Sequence, residues 1–248
     1  MIESKIDSDF LRYLISSGFQ PGDRVPPLNT LTEKLGLSIS KLREQLEVAR
    51  TLGLVEVKPR SGIHCADYAF FPAIKQTLLF ALALDNNLFI KFSELRHYIE
   101  VSFFAEAVAE LTESDKSHLQ SLIVAAQQKL EGSPIRIPHQ EHRDLHLEIF
   151  RRLDNPFVQG LLEAYWEAYE AVELNVYTDI NYLLRLWQYH ALIIDGIIND
   201  DIDSSLKALV EHTELLKSEI HKTTINSIMH IHTNNCFAIT NRRAHLGY

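Results

Sequence analysis

The chain has 248 residues, 46% hydrophobic and 23% charged, with a formal net charge of −9, enough for one or two domains with a real core. Its two cysteines, Cys65 and Cys236, lie far apart and exclude a disulfide framework or a cysteine zinc site, which fits a reducing, cytoplasmic setting. No apolar run approaches the roughly 18 residues that span a bilayer, and the acidic start (Glu3, Asp7, Asp9) is no export signal, so no membrane partner is expected.

Residues 1–68 hold nine basic and nine acidic side chains, so the whole negative balance falls on residues 69–248. Between residues 34 and 60 there are six basic and three acidic residues, a modest footprint for nucleic acid. An acidic remainder would repel a duplex only weakly beyond a Debye length of roughly 8 Å.

In chain order, Ile6, Phe10, Leu11 and Leu14 predict an amphipathic first helix that stops at Ser16-Ser17-Gly18, and Pro21-Gly22 makes a turn. Leu28, Leu31 and Leu35 recur at helical spacing before the stop at Gly36. Ser38 caps the next helix, which buries Leu42, Leu46 and Ala49 and presents Lys41, Gln45 and Arg50, with Arg43 near the edge. Gly53 ends it. Leu54–Lys58 then alternates like a half-buried strand, and Pro59-Arg60-Ser61-Gly62 turns into Ile63-His64-Cys65. Helix, turn, helix and a basic hairpin make a winged helix, which places one helix in the major groove and a wing beside the phosphates. The boundary is placed near residue 70, giving a DNA-binding domain over 1–69.

The remainder reads as helices: from Pro72 to Asp85, Leu88 to Glu110, Thr112 to Glu131, Pro138 to Leu153, Pro156 to about Tyr177, Tyr182 to Asn199, and from Asp201 or Asp203 to about His221. No period-2 alternation occurs, so the fold class is mainly α, with a second domain over 70–222 and a tail over 223–248.

The first domain resembles the DNA-binding domain of GntR-type bacterial regulators. The matching residues are Leu31, Leu35-Gly36-Leu37-Ser38, Leu42-Arg43-Glu44-Gln45-Leu46, Leu52-Gly53-Leu54-Val55 and the wing glycine Gly62. The resemblance implies DNA contacts from Ser40, Lys41, Arg43, Arg60 and Gly62, a homodimer, a near-palindromic operator and, by family habit, repression. Two arginines of the family pattern are replaced by Asn29 and Ile39, which puts the usual operator sequence in doubt. Residues 72–220 resemble the FCD effector domain of one GntR subfamily. Its landmarks here are Arg96 and Glu100, Leu145-His146, Asn155-Pro156, His190 to Ile193, the acidic turn 199–203 and His212.

His142 and His146 stand one turn apart on one helical face. With His190 and His212, they occupy positions that in the FCD family resemble a metal site, His142 standing where the family has an aspartate. The implied cofactor is a divalent transition metal, Zn²⁺ or Ni²⁺; the bland alternative is a polar pocket. Arg96 lies on a largely apolar helix, where it either holds a carboxylate effector or pairs with Glu100. An enzyme is not expected: a zinc peptidase needs a glutamate after the first histidine, and Arg143 stands there. The reading is a ligand-responsive transcriptional regulator. Its alternative is a metal- or small-acid-binding protein whose winged helix no longer reads DNA.

Overall fold

The computed structural model describes residues 2–172 and 179–215. These divide into two compact units: Met1–Ala81 with Asp154–Ala164, and Leu82–Leu153 with the described chain from Tyr165 onward.

In the first unit a short 3-10 helix, Ile2–Lys5, precedes α1 (Asp9–Ser16), β1 (Arg24–Val25), α2 (Leu28–Leu35), α3 (Ile39–Thr51), β2 (Val55–Lys58) and β3 (Gly62–Cys65). Helices α2 and α3 begin and end where the sequence predicts; α1 ends there too but starts later, leaving Ile6 ahead of it. Ser8 caps α1 and Ser38 caps α3 through side-chain bonds to the backbone N–H of Leu11 and Lys41. Gly36 closes α2 at φ 65°, a conformation that costs glycine little. Phe10, Leu14, Leu31, Leu42, Ala49, Val55 and Ile63 form one core under the three helices and the sheet. Burying each large member fully contributes about 1.5–3 kcal/mol.

Three further details depart from the sequence reading. Arg24–Val25 adds a third strand, so the sheet runs β1-β3-β2, antiparallel throughout. A two-residue strand is too short to show alternation. Val57 is 50% exposed although it alternates with buried Val55, because β2 leaves the core as it enters the wing. Gln45 does not simply face solvent. Its carbonyl accepts from the backbone N–H of Phe10 at 2.8 Å and its amide donates to Asp9 at 3.1 Å, tying α3 to α1.

The first unit also contains the start of α4 (Phe71–Leu84) and of α8 (Pro156–Ala171). Asn155 caps α8 through the N–H groups of Phe157 and Val158. A Cβ on Gly160 would lie 2.6 Å from the backbone nitrogen of Phe71, so only glycine allows that approach.

The second unit is helical: α5 (Leu88–Ala109), α6 (Glu113–Glu131), α7 (His139–Phe150), the rest of α8, α9 (Ile180–Ile198) and α10 (residues 202–215). Helix α6 packs on α7 and α9, and α5 on α7. Thr112 and Asp115 form a reciprocal capping box at the start of α6, and Arg152 pairs with the same carboxylate. Helices α9 and α10 cross closely: a Cβ on Gly196 would lie 2.6 Å from that of Ser205, whose hydroxyl donates to Ile193 at 2.6 Å. The predicted ends at Tyr177 and His221 and the tail 223–248 lie outside the described residues. No described helix is long and apolar enough to cross a membrane.

Candidate functional site

Each helix around the site carries a polar residue where the helical period calls for a core residue. On α5 the buried stripe is Phe89, Ser93, Arg96, Glu100, Phe104 and Ala107. On α7 it contains His142, His146 and Ile149; on α9, Leu183, Leu186, His190, Ile193 and Ile197; on α10, Ser205, Leu209 and His212. The 3.6-residue repeat therefore turns all four histidines inward, against the usual preference for apolar side chains there.

The four imidazoles meet. Each offers one ring nitrogen, and the four nitrogens lie within 4.8 Å of one another. His146 Nε2 and His190 Nε2 are 3.2 Å apart, and the His190 and His212 ring centroids are 4.4 Å apart. Both nitrogens of His212 and Nδ1 of His190 are buried without a hydrogen-bond partner among the described residues. Leaving such atoms unsatisfied costs about 1–3 kcal/mol each.

Burial, the neighbouring imidazoles and Arg96 push the pKa values of His142 and His212 well below the ordinary histidine value, and His190 follows for the same reasons. Burial and Arg96 also lower that of His146, with Glu100 opposing them. The set is thus neutral at pH 7 and has lone pairs to donate. Orphaned nitrogens, neutral imidazoles and four ring nitrogens within 4.8 Å of one another all fit a divalent transition metal. His142, His146, His190 and His212 would hold it.

Glu100 sets the ring of His146. Its Oε1 lies 3.1 Å from His146 Nδ1 and accepts that N–H, which leaves Nε2 facing His190. Arg96 Nε lies 2.9 Å from the same oxygen, and Nη2 lies within 3.2 Å of both His146 nitrogens. The guanidinium also lies 4.3 Å from the Tyr165 ring and 5.2 Å from that of Trp166. Arg96 is 3% exposed and Glu100 0%. Burial works against both charges, but the pairing wins: the Arg96 pKa rises, and Arg96 with His146 holds that of Glu100 down at about 2. Arg96 therefore lies at the wall of the histidine cluster and is also the ion-pair partner of Glu100. The ion pair with Glu100 that the one-turn spacing suggested is present.

The predicted DNA contacts lie in the first unit. Ser40, Lys41 and Arg43 are exposed on α3. Lys41 sits 3.5 Å from Asp9, while Arg50 is engaged by Glu47 at 2.6 Å. Among the described residues neither Arg43 nor Arg60 is in an ion pair. Arg60 tips the wing in the left-handed region at φ 65°, and Gly62 follows at φ 94°. These two guanidiniums, one on α3 and one at the wing tip, suit phosphate and base-edge contacts. Asn29 and Ile39 are exposed on α2 and at the start of α3, so these departures from the family pattern alter a surface and not the core.

The sequence matches the FCD domain family over residues 91–215 and the family "Bacterial regulatory proteins, gntR family" over residues 7–65. The chain belongs to the GntR family. It is 24% identical to the HTH-type transcriptional regulator YcbG of Bacillus subtilis (strain 168), over 85% of this chain and 86% of that one. It is 21% identical to the Uxu operon transcriptional regulator of Escherichia coli (strain K12), over 84% and 82%. Among solved structures, a GntR protein of Streptococcus agalactiae has the same fold, with a TM-score of 0.60 at 20% identity over 84% of this chain and 95% of that one. This GntR protein is accordingly a DNA-binding transcriptional regulator with an FCD domain, and its relatives are regulators and not enzymes.

Sequence reasoning did not single out the aromatic wall around the histidines of this GntR regulator. Trp166 lies 4.7 Å from His142 and Trp187 4.7 Å from His190, centroid to centroid. The run Tyr165-Trp166-Glu167-Ala168-Tyr169, three aromatics within five residues of one helix, was the available signal.

Proposed function

We propose that this regulator is a ligand-responsive repressor, acting in the cytoplasm as a homodimer on a near-palindromic operator. Residues 1–69 read the DNA, and residues 70–222 sense a small carboxylate beside a bound Zn²⁺ or Ni²⁺ ion. One observation carries the reading: four buried imidazoles, each in a core position, turn their nitrogens toward one point at whose edge a buried guanidinium stands.

When bound, the metal supplies a Lewis-acidic position for a carboxylate oxygen. Glu100 fixes the ring of His146, and Arg96 offers a cation to the carboxylate. The four neutral histidines leave the dication's charge uncompensated, and Arg96 and Glu100 cancel one another, so an anion is the favoured occupant. On the DNA side, Arg43 and Arg60 neutralise phosphates or read base edges, with Ser40, Lys41 and Gly62 completing the surface.

The test is the anisotropy of a labelled duplex from the gene's own upstream region, bound by zinc-loaded protein. Adding a small carboxylate should release the duplex, and stripping the metal should abolish that response. Release that no carboxylate produces would overturn acid sensing. Failure to prefer the upstream duplex would favour the alternative, a binding protein whose winged helix no longer reads DNA.

A further inference from the structure

Trp166 stands in the wall beside the histidines and Arg96. It is 1% exposed, its ring is 4.7 Å from His142 and 5.4 Å from His146, and the Arg96 guanidinium lies 5.2 Å away. Its Nε1–H is buried and has no hydrogen-bond partner among the described residues. An indole N–H is only a donor: it cannot bind a metal and cannot be satisfied by one. Buried tryptophans ordinarily find an acceptor for this group, because an orphan is costly. The histidine nitrogens can be satisfied by a metal, but the indole needs an oxygen.

We infer that Trp166 is a specificity-determining residue of the sensor, donating its Nε1–H to an oxygen of the small carboxylate. The inference rests on the acid-sensing reading above and extends it to a residue that the metal does not explain. Three features support an oxyanion here in place of a neutral or cationic ligand. The unsatisfied group is a donor, the Arg96–Glu100 pair at the site is neutral overall, and the four candidate metal ligands carry no negative charge to offset the dication. Trp166 follows Tyr165, whose ring stacks on Phe89 at 5.4 Å, so the indole is held by a packed aromatic layer and is not free to turn away.

The experiment uses full-length, zinc-loaded protein titrated with acetate, lactate, malonate and succinate, by calorimetry and by ¹⁵N NMR of the indole N–H groups. The chain has two tryptophans, so the spectrum holds two such signals, and Trp166→Phe assigns them. The proposal expects the Trp166 indole proton to move downfield on binding of at least one acid. That acid should bind about tenfold to a hundredfold more weakly to Trp166→Phe. The variant should keep the zinc stoichiometry, with only a modest fall in unfolding temperature from the smaller ring. Equal affinity in Trp166→Phe with an unmoved indole signal would overturn this inference and leave acid sensing standing. Binding of none of the acids to the unaltered protein would overturn both. If Trp166→Phe fails to fold, the downfield shift in the unaltered protein decides alone, with Trp187→Phe supplying the assignment.

Discussion

His146 Nε2 and His190 Nε2 lie 3.2 Å apart although 44 residues of chain separate them and they come from different helices, α7 and α9. Two neutral imidazoles this close share at most one hydrogen bond, whereas a metal would use both lone pairs. A metal there ties together helices distant in sequence, and its binding free energy becomes folding free energy. A chelator should therefore lower the unfolding temperature of the second unit by several degrees or more and leave that of the winged helix nearly unchanged. His146→Ala and His212→Ala should each reproduce this loss. His142→Asp should keep the metal, since a carboxylate is also a zinc ligand. Calorimetric scans with and without chelator check all three.

The pairing of Arg96 with Glu100 alters what a simple substitution can report. Arg96→Met leaves a fully buried carboxylate without its partner, at a cost of about 3–5 kcal/mol, so loss of the effector response in that variant would be ambiguous. The double variant Arg96→Met with Glu100→Leu removes both charges and should recover most of the stability. If Arg96 also holds the effector carboxylate, the double variant still binds operator DNA but is no longer released by acid. A double variant that responds with an unchanged midpoint assigns Arg96 to structure.

For DNA, Arg43→Ala and Arg60→Ala should each weaken operator binding without lowering the unfolding temperature, since both side chains are exposed and outside any ion pair among the described residues. Each lost phosphate contact should reduce the magnitude of the log–log salt slope by about 0.9. Lys41→Ala should have a smaller effect, because Asp9 already engages that ammonium. Binding isotherms at several salt concentrations separate these outcomes, and slopes unchanged in all three variants would move the DNA contact elsewhere.

Most of the fold was legible because its signals are local. Ser38, Thr112 and Asn155 mark helix starts by hydrogen bonds within three residues, and Gly36 marks a stop by a conformation that other residues resist. The histidine cluster was legible only in part. Spacing alone pairs His142 with His146 on one face. That His190 and His212 come to the same point depends on tertiary packing, including the crossing at Gly196 and Ser205. Strand β1 and the clamp of Gln45 on α1 were not legible, since each depends on a partner between 35 and 40 residues away. The role of Glu100 toward His146 was hidden for the same reason: a one-turn spacing from Arg96 shows the ion pair but not the imidazole on its other side.

Acid should act on the second unit through Asp115. Hydrogen bonds from Arg152 and Thr112 hold its carboxyl well below the usual range, so the unfolded chain takes up the proton first. The sign follows: stability from this group is fully present above the unfolded pKa of about 3.9 and is lost as pH falls below it. Asp115→Asn should flatten that part of the acid-unfolding curve and fray the start of α6. An unchanged acid limb in the variant would show that Asp115 does not carry it.

The measurement that bears most directly on the sensor is the metal content of protein purified without a histidine tag. One equivalent of zinc or nickel per chain, lost in His146→Ala and His212→Ala and retained in His142→Asp, is the predicted result. Protein that carries no stoichiometric metal, takes up none on dialysis against zinc or nickel, and unfolds at the same temperature with and without chelator would contradict it, and the four histidines would then line only a polar pocket.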